Sequence, residues 1–266
     1  MKQPIGVFDS GLGGLTVLSA IHELLPHEDL IYFGDTARVP YGNKSRETVI
    51  RYSLEILDFL LQKNVKAVVV ACNTASAQAL ETLKEKSPVP VLGVVEPGVK
   101  ALLKNYPSIK KAAVIATRST VKSRAYQQSL KQKKADLDVI EKACPLLVPL
   151  VEEGYSDHAV TRLILQEYLQ ELVEQGFEHV ILGCTHYPLL KKAIREIYPK
   201  LKLIDAAQEV ARELREFLEA TNLISNKNEL GTIRLYVSDI TESIAELEKL
   251  FFGKTIRSLE KVVLGL

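Results

Sequence analysis

Cysteine is the side chain in this sequence best suited to moving protons or attacking carbon, and it occurs at positions 72, 144 and 184. Two of the three sit in matched surroundings. Asn64-Val-Lys-Ala-Val-Val-Val-Ala-Cys72-Asn-Thr aligns without a gap on Gly176-Phe-Glu-His-Val-Ile-Leu-Gly-Cys184-Thr-His, at an offset of 112 residues. Each copy reads as a helix end, a tight turn, an apolar strand and then a cysteine followed by polar residues. That places both thiols at the carboxyl ends of parallel strands, facing the start of a helix, where open α/β sheets bind ligands. A single cysteine at a strand end is equally well read as a small buried hydrophobe. The matched pair carries the chemical reading.

Spacing removes several cysteine chemistries. Zinc takes three or four converging ligands, whereas Cys184-Thr-His186 offers two and no Cys-x-x-Cys occurs. A phosphatase-type cysteine loop wants an arginine six residues on, where Gln78 and Leu190 stand. The redox pair of a thioredoxin-like motif is absent. What survives is two thiols facing one another across a cleft as acid and base. Asn73 and Thr74 after one cysteine, and Thr185 and His186 after the other, add amide, hydroxyl and imidazole groups. Thr117 and Thr120 add further hydroxyls.

Asp9-Ser10-Gly11-Leu12-Gly13-Gly14 supplies an anion-friendly loop at a helix start. It is no dinucleotide fingerprint, because Thr16 stands where the last glycine belongs, and no Gly-Lys-Ser/Thr of a nucleotide loop occurs. A small carboxylate fits better, with Asp9 as a plain helix cap the alternative. In Gly34-Asp-Thr-Ala-Arg-Val-Pro-Tyr41-Gly42, Asp35 and Arg38 are as well read bracing the loop as doing chemistry.

The elements that must hold these groups are short β-branched runs alternating with helix-period segments. Residues 5–8, 30–33, 67–71, 89–94, 112–116, 180–183 and 201–204 read as strands covered on both faces. Residues 15–25, 49–62, 159–175 and 207–219 read as helices. The alternation predicts an α/β fold with mostly parallel sheets flanked by helices. Residues 222–231 read as a surface loop, followed by a strand at 233–237, a helix at 241–252 and a strand at 258–264. Pro88, Pro90 and Pro97-Gly98 suggest a domain boundary near residue 97.

With 25% charged and 47% hydrophobic residues and a formal net charge of +1, the chain is neither disordered nor built to grip nucleic acid or a membrane surface. The odd, sparse cysteine count fits a reduced compartment. No apolar leader follows Met1, and the apolar runs fall short of the ~18 residues of a membrane span. A soluble, cytoplasmic protein is expected.

Five blocks carry a resemblance: residues 8–18 (Phe-Asp-Ser-Gly-Leu-Gly-Gly-Leu-Thr-Val-Leu), 32–42 (Tyr-Phe-Gly-Asp-Thr-Ala-Arg-Val-Pro-Tyr-Gly), 71–76 (Ala-Cys-Asn-Thr-Ala-Ser), 93–98 (Gly-Val-Val-Glu-Pro-Gly) and 182–190 (Leu-Gly-Cys-Thr-His-Tyr-Pro-Leu-Leu). In this order they are similar to the signature blocks of the glutamate racemase family, with a looser match beyond residue 206. The resemblance implies a cofactor-independent, metal-free amino-acid racemase of two pseudo-symmetric α/β domains, 1–97 plus 207–266 and 98–206, with the active site between them. It implies Cys72 and Cys184 as the acid/base thiols. Asp9 then supports the first, and His186 and Glu152 the second. Substrate contacts fall to Asp9, Ser10, Tyr41, Gly42, Asn73, Thr74, Thr117, Thr120, Thr185 and His186. Cys144 matches no catalytic position. L- and D-glutamate as substrates, a homodimer and supply of D-glutamate for peptidoglycan follow from the same resemblance.

The chemistry accounts for those residue types. Inverting a stereocentre takes a proton from one face and delivers one to the other, so a thiolate and a thiol must flank the α-carbon. A free cysteine with a pKa of about 8.5 is about 3% thiolate at pH 7. Lowering it by roughly 1.5 units takes about 2 kcal/mol, within reach of a helix N-terminus or an imidazolium. A carboxylate such as Asp9 works the other way, and its role is to relay a proton or hold the substrate ammonium. Two alternatives stay open at this point: a related aspartate racemase or one-cysteine decarboxylase, and a non-enzymatic two-domain module that closes on a small anion.

Overall fold

The computed structural model describes residues 3–240 and 256–264. The strands are β1 (Ile5–Asp9), β2 (Leu30–Gly34), β3 (Ala67–Val70), β4 (Val91–Leu92), β5 (Lys111–Ala116), β6 (Asp138–Ala143), β7 (His179–Gly183), β8 (Lys202–Ile204), β9 (Ile233–Val237) and β10 (Ile256–Lys261). They form two all-parallel sheets, one ordered β10-β9-β2-β1-β3-β4 and the other β6-β5-β7-β8.

Both faces of each sheet are buried, which is why the strands read as unbroken apolar runs. On the first sheet, Ile5 and Val7 pack with Leu18 and Ile21 of α1 (Leu15–Leu24), and with Val210 and Leu214 of the late helix at Ala207–Ala220. Phe8, Val68 and Val70 pack oppositely, against Ile56 and Leu60 of α2 (Arg46–Gln62) and Leu83 of α3 (Asn73–Lys86). The second sheet is covered on one face by α4 (Val95–Asn105) and α6 (Ala125–Lys133), and the short α5 (Arg118–Ser123) precedes α6. Its other face carries α7 (Leu147–Glu152), α8 (Ala159–Glu174) and α9 (Lys191–Ile197). The helix at Ala207–Ala220 is α10.

Several sequence expectations need adjustment. Strand β6 was not anticipated, because Asp138, Glu141 and Lys142 interrupt its apolar pattern; it is a half-buried edge strand. Strand β4 is only two residues long, since Pro90 precedes it and Val95 already opens α4. Pro97-Gly98 lies in the first turn of α4, an end of the helix where proline is tolerated. Helix α2 begins three residues early, where Ser45 caps it by accepting from the Thr48 N–H. The last strand spans Ile256–Lys261 rather than 258–264. The expected helix at 241–252 lies outside the described residues.

The strand order matters for the site. Successive connections leave β1 on opposite sides, toward β2 and then β3, which opens a crevice between the carboxyl ends of β1 and β3. The same reversal opens a crevice between β5 and β7. Such switch points are where open α/β sheets take ligands. Cys72 lies at the first and Cys184 at the second.

Candidate active site

Cys72 follows β3 and caps α3. Its Sγ accepts from the Ala75 N–H at 3.4 Å and donates to Ser10 Oγ at 3.5 Å. Asp9, the last residue of β1, is fully buried. Its Oδ2 accepts from the Gly11 N–H at 3.0 Å, and its Oδ1 accepts from Thr185 Oγ1 at 3.2 Å, across to the other sheet. Burial pushes the Cys72 thiol up to about 12, the Asp9 charge adds to this, and the hydrogen bonds from Ser10 and Ala75 offset only part. Burial also raises Asp9, against the pull of His186 and its own hydrogen bonds.

The second thiol sits differently. Cys184 Sγ is 3.8 Å from Nδ1 of His186, whose Nε2 is 3.2 Å from Oε1 of Glu152 at the end of α7. Burial favours neutral imidazole, yet the hydrogen bonds to Cys184 and Glu152 and the charges of Cys184 and Asp9 outweigh it. They hold His186 protonated up to about 10. The far side of Glu152 faces a cavity of about 210 Å³ that His186 also lines, leaving the carboxylate side chain 32% exposed.

Residues of both sheets close on one another here. Thr74, Thr117 and Thr120 form a triangle of hydroxyls 2.9, 3.0 and 3.2 Å apart. At Gly42 a Cβ would fall 2.6 Å from Cβ of Thr117; at Gly13 it would fall 2.6 Å from Thr185 Oγ1 and 2.7 Å from His186 Nδ1. Only glycine permits that approach. Ser10, Pro40, Tyr41, Gly42, Cys72, Asn73, Thr74, Thr117, Val148, Cys184, Thr185 and His186 line one narrow cavity of about 10 Å³. Both cysteines therefore face the same space.

Ten of the residues expected from the sequence line this cavity. Asp9, Glu152 and Thr120 stand one contact behind it, on Thr185, His186 and Thr74 respectively. Tyr41 lines it, but its hydroxyl is turned to Asp35, which also receives Arg38 Nε at 2.7 Å and Ser238 Oγ at 2.7 Å. The Asp35–Arg38 pair is thus a brace for the loop. Cys144 is buried away from the cavity, with its thiol pushed up to about 12 by burial.

Sequence reasoning missed Pro40 and Val148, and also Tyr126, whose hydroxyl donates to Asn73 Oδ1 at 2.6 Å. It also missed a neighbouring cavity. Beside Gly42 opens a cavity of about 850 Å³ lined by Lys44, Arg46, Arg118 and Lys122 against the single carboxylate of Glu47. In a chain of net charge +1 this is a local concentration of positive charge. The signal was present as basic residues in the segments that follow β2 and β5.

The family model for Asp/Glu/Hydantoin racemase matches residues 5–214. The chain is 47% identical over 251 residues to a glutamate racemase of Sulfurihydrogenibium sp., covering 94% of each protein. The crystal structure of glutamate racemase from Francisella tularensis in complex with D-glutamate superposes with a TM-score of 0.91 at 37% identity, covering 98% of this chain and 97% of that one. The Thermus thermophilus glutamate racemase in complex with beta-chloro-D-alanine does so with a TM-score of 0.86 at 45% identity and the same coverage. The sequence blocks, the paired switch-point thiols and these likenesses agree: the chain belongs to the Asp/Glu/Hydantoin racemase family.

Proposed function

We propose that this protein is a glutamate racemase that interconverts L- and D-glutamate by a two-thiol mechanism without a cofactor. The observation that carries the reading is the placement of Cys72 and Cys184 at equivalent switch points of two sheets, lining one cavity. The α-carbon sits between them, with one thiol on each of its faces. Asn73, Thr74 and Thr117 offer the amide and hydroxyl donors a carboxylate requires, and the cationic cavity beside Gly42 draws in an amino acid with a net negative charge.

The surroundings suit the two thiols to different roles. His186, protonated and 3.8 Å away, is placed to pair with negative sulfur as Cys184 reacts, while Cys72, at about 12, keeps its proton. Cys184 Sγ takes the α-proton from one face as the S–H of Cys72 delivers its own to the other. The C–H electron pair stays on the α-carbon until the new bond forms. In the opposite direction Cys72 must act as base, and ionising a thiol at about 12 in neutral solution costs about 7 kcal/mol. The substrate ammonium, close to Cys72 and Asp9, offsets that cost by its charge. Asp9, one contact behind the cavity, braces the Cys72 side through Thr185 and Gly11. After turnover Cys184 gives its new proton to solvent and Cys72 takes one back, His186 staying protonated throughout.

On the same reading the two sheets mark two domains, 1–97 with 207–266 and 98–206. The protein works as a cytoplasmic homodimer and supplies D-glutamate for peptidoglycan.

The test is isotopic. In deuterated water each enantiomer yields product carrying solvent deuterium at the α-carbon, and Cys72→Ala and Cys184→Ala each abolish racemisation. Near-normal turnover of either variant in both directions would overturn the two-thiol assignment. Binding of glutamate with no loss of optical rotation would instead favour a non-enzymatic binder.

A further inference from the structure

We propose that Tyr126 is a positioning residue: its hydroxyl orients the Asn73 amide so that the NH2 end faces the substrate carboxylate. Tyr126 lies on α6 over the second sheet, whereas Asn73 opens α3 on the first, next to Cys72. The phenol ring is fully buried among Val99, Leu102, Val114 and Ile181, where a phenylalanine would fill the same space. Its hydroxyl reaches across and donates to Asn73 Oδ1 at 2.6 Å. Burial raises the phenol above its usual range, so it remains a donor throughout neutral pH.

An amide is ambivalent, with an acceptor oxygen at one end and two N–H donors at the other. A carboxylate only accepts. Were the Asn73 oxygen turned to the cavity, it would face the substrate carboxylate with like partial charge. Engaging that oxygen with Tyr126 leaves only the donor end for the cavity, which Asn73 lines beside Thr74 and Thr117. Because the bond crosses between the two sheets, the amide is oriented only where the two halves meet.

This inference rests on the reading of the cavity as an amino-acid site, and the test separates the two. Steady-state kinetics are measured for wild type, Tyr126→Phe, Asn73→Ala and the double variant, with thermal unfolding of each. Tyr126→Phe is expected to raise KM about fivefold, the worth of one neutral hydrogen bond, with kcat changed less than twofold. In the Asn73→Ala background the same substitution is expected to leave KM unaltered. A hydroxyl with a purely structural role would lower the melting temperature in both backgrounds and leave KM alone, and that result overturns the proposal. So do effects on KM that multiply independently. Asn73→Asp keeps the acceptor for Tyr126 but removes the donor, and it is expected to raise KM at least as much as Asn73→Ala. This arm holds even if Tyr126→Phe fails to fold, and a wild-type KM for Asn73→Asp refutes the inference. If Asn73→Ala itself leaves KM unchanged, the amide contact falls and the positioning role with it. Racemisation by the wild-type protein, measured alongside, tests the amino-acid reading separately.

Discussion

Replacing Glu152 by glutamine tests whether the Cys184 side is held as an ion pair. The variant keeps the shape and an oxygen for the His186 N–H but removes the charge. At 3.2 Å, two unit charges in an effective dielectric of 20 attract by about 5 kcal/mol. Water screens this pair, because the Glu152 side chain is 32% exposed on its cavity side. A loss of about 1.4 kcal/mol is therefore expected, equivalent to roughly one pKa unit. The sign follows from His186, which stays protonated up to about 10 in the native protein; with the carboxylate gone, it loses its proton at lower pH. With the His186–Glu152 pair weakened, the positive charge beside Cys184 is less firmly held, and kcat/KM at neutral pH falls by up to tenfold. Nitrogen-15 NMR of the imidazole across the alkaline range reads the first effect, and progress curves by circular dichroism read the second. An unchanged imidazole titration would refute the argument, because the His186–Glu152 contact would then contribute nothing to the charge state of the site.

Two further substitutions probe the frame. Gly13→Ala places a methyl group 2.6 Å from Thr185 Oγ1 and 2.7 Å from His186 Nδ1, so both must move. Displacement of a reacting group by about 1 Å costs on the order of 10²-fold, and kcat/KM should drop by that much; activity within fivefold of wild type would mean the halves do not need this approach. Lys66→Ala breaks a buried ion pair in which Lys66 Nζ is 2.5 Å from Glu28 Oε2, both side chains being 2% exposed. The stranded carboxylate should cost about 3–5 kcal/mol and lower the melting temperature by roughly 10 °C. A shift under 2 °C would mean water reaches Glu28 in the variant.

The thiols and the strands beneath them were the most legible part of the fold. An ungapped repeat places two like side chains at two like strand ends, and parallel strands buried on both faces leave an unmistakable apolar run. Edge strands follow a weaker rule: β6 shares its residues with solvent, so Glu141 and Lys142 disguise it, and β4 ends after two residues beside Pro90. Cavity-lining side chains were legible where they adjoin a motif, as Asn73 and Thr185 do. Tyr126 was not, because its contribution is one hydroxyl reaching over 53 residues of sequence to Asn73. Nothing local distinguishes that tyrosine from a core aromatic. The cationic cavity escaped notice for a related reason: Lys44 and Arg118 come to line it together only after two separate sheets meet.

The unequal surroundings of the two thiols have a thermodynamic consequence. The repeated halves share one strand order and one hand, whereas the two enantiomers are related by reflection. A chain of L-residues has no mirror operation, so the two sides of the site are bound to differ, as Asp9 and Ser10 differ from His186 and Glu152. In water, however, the enantiomers have equal free energy and the equilibrium constant between them is unity. Microscopic reversibility then requires the ratio kcat/KM to be the same in both directions, whatever the proton affinities of Cys72 and Cys184. Any preference built into the site must appear as compensating changes in kcat and KM. The asymmetry decides which enantiomer is held longer, and it leaves the final composition of the mixture untouched.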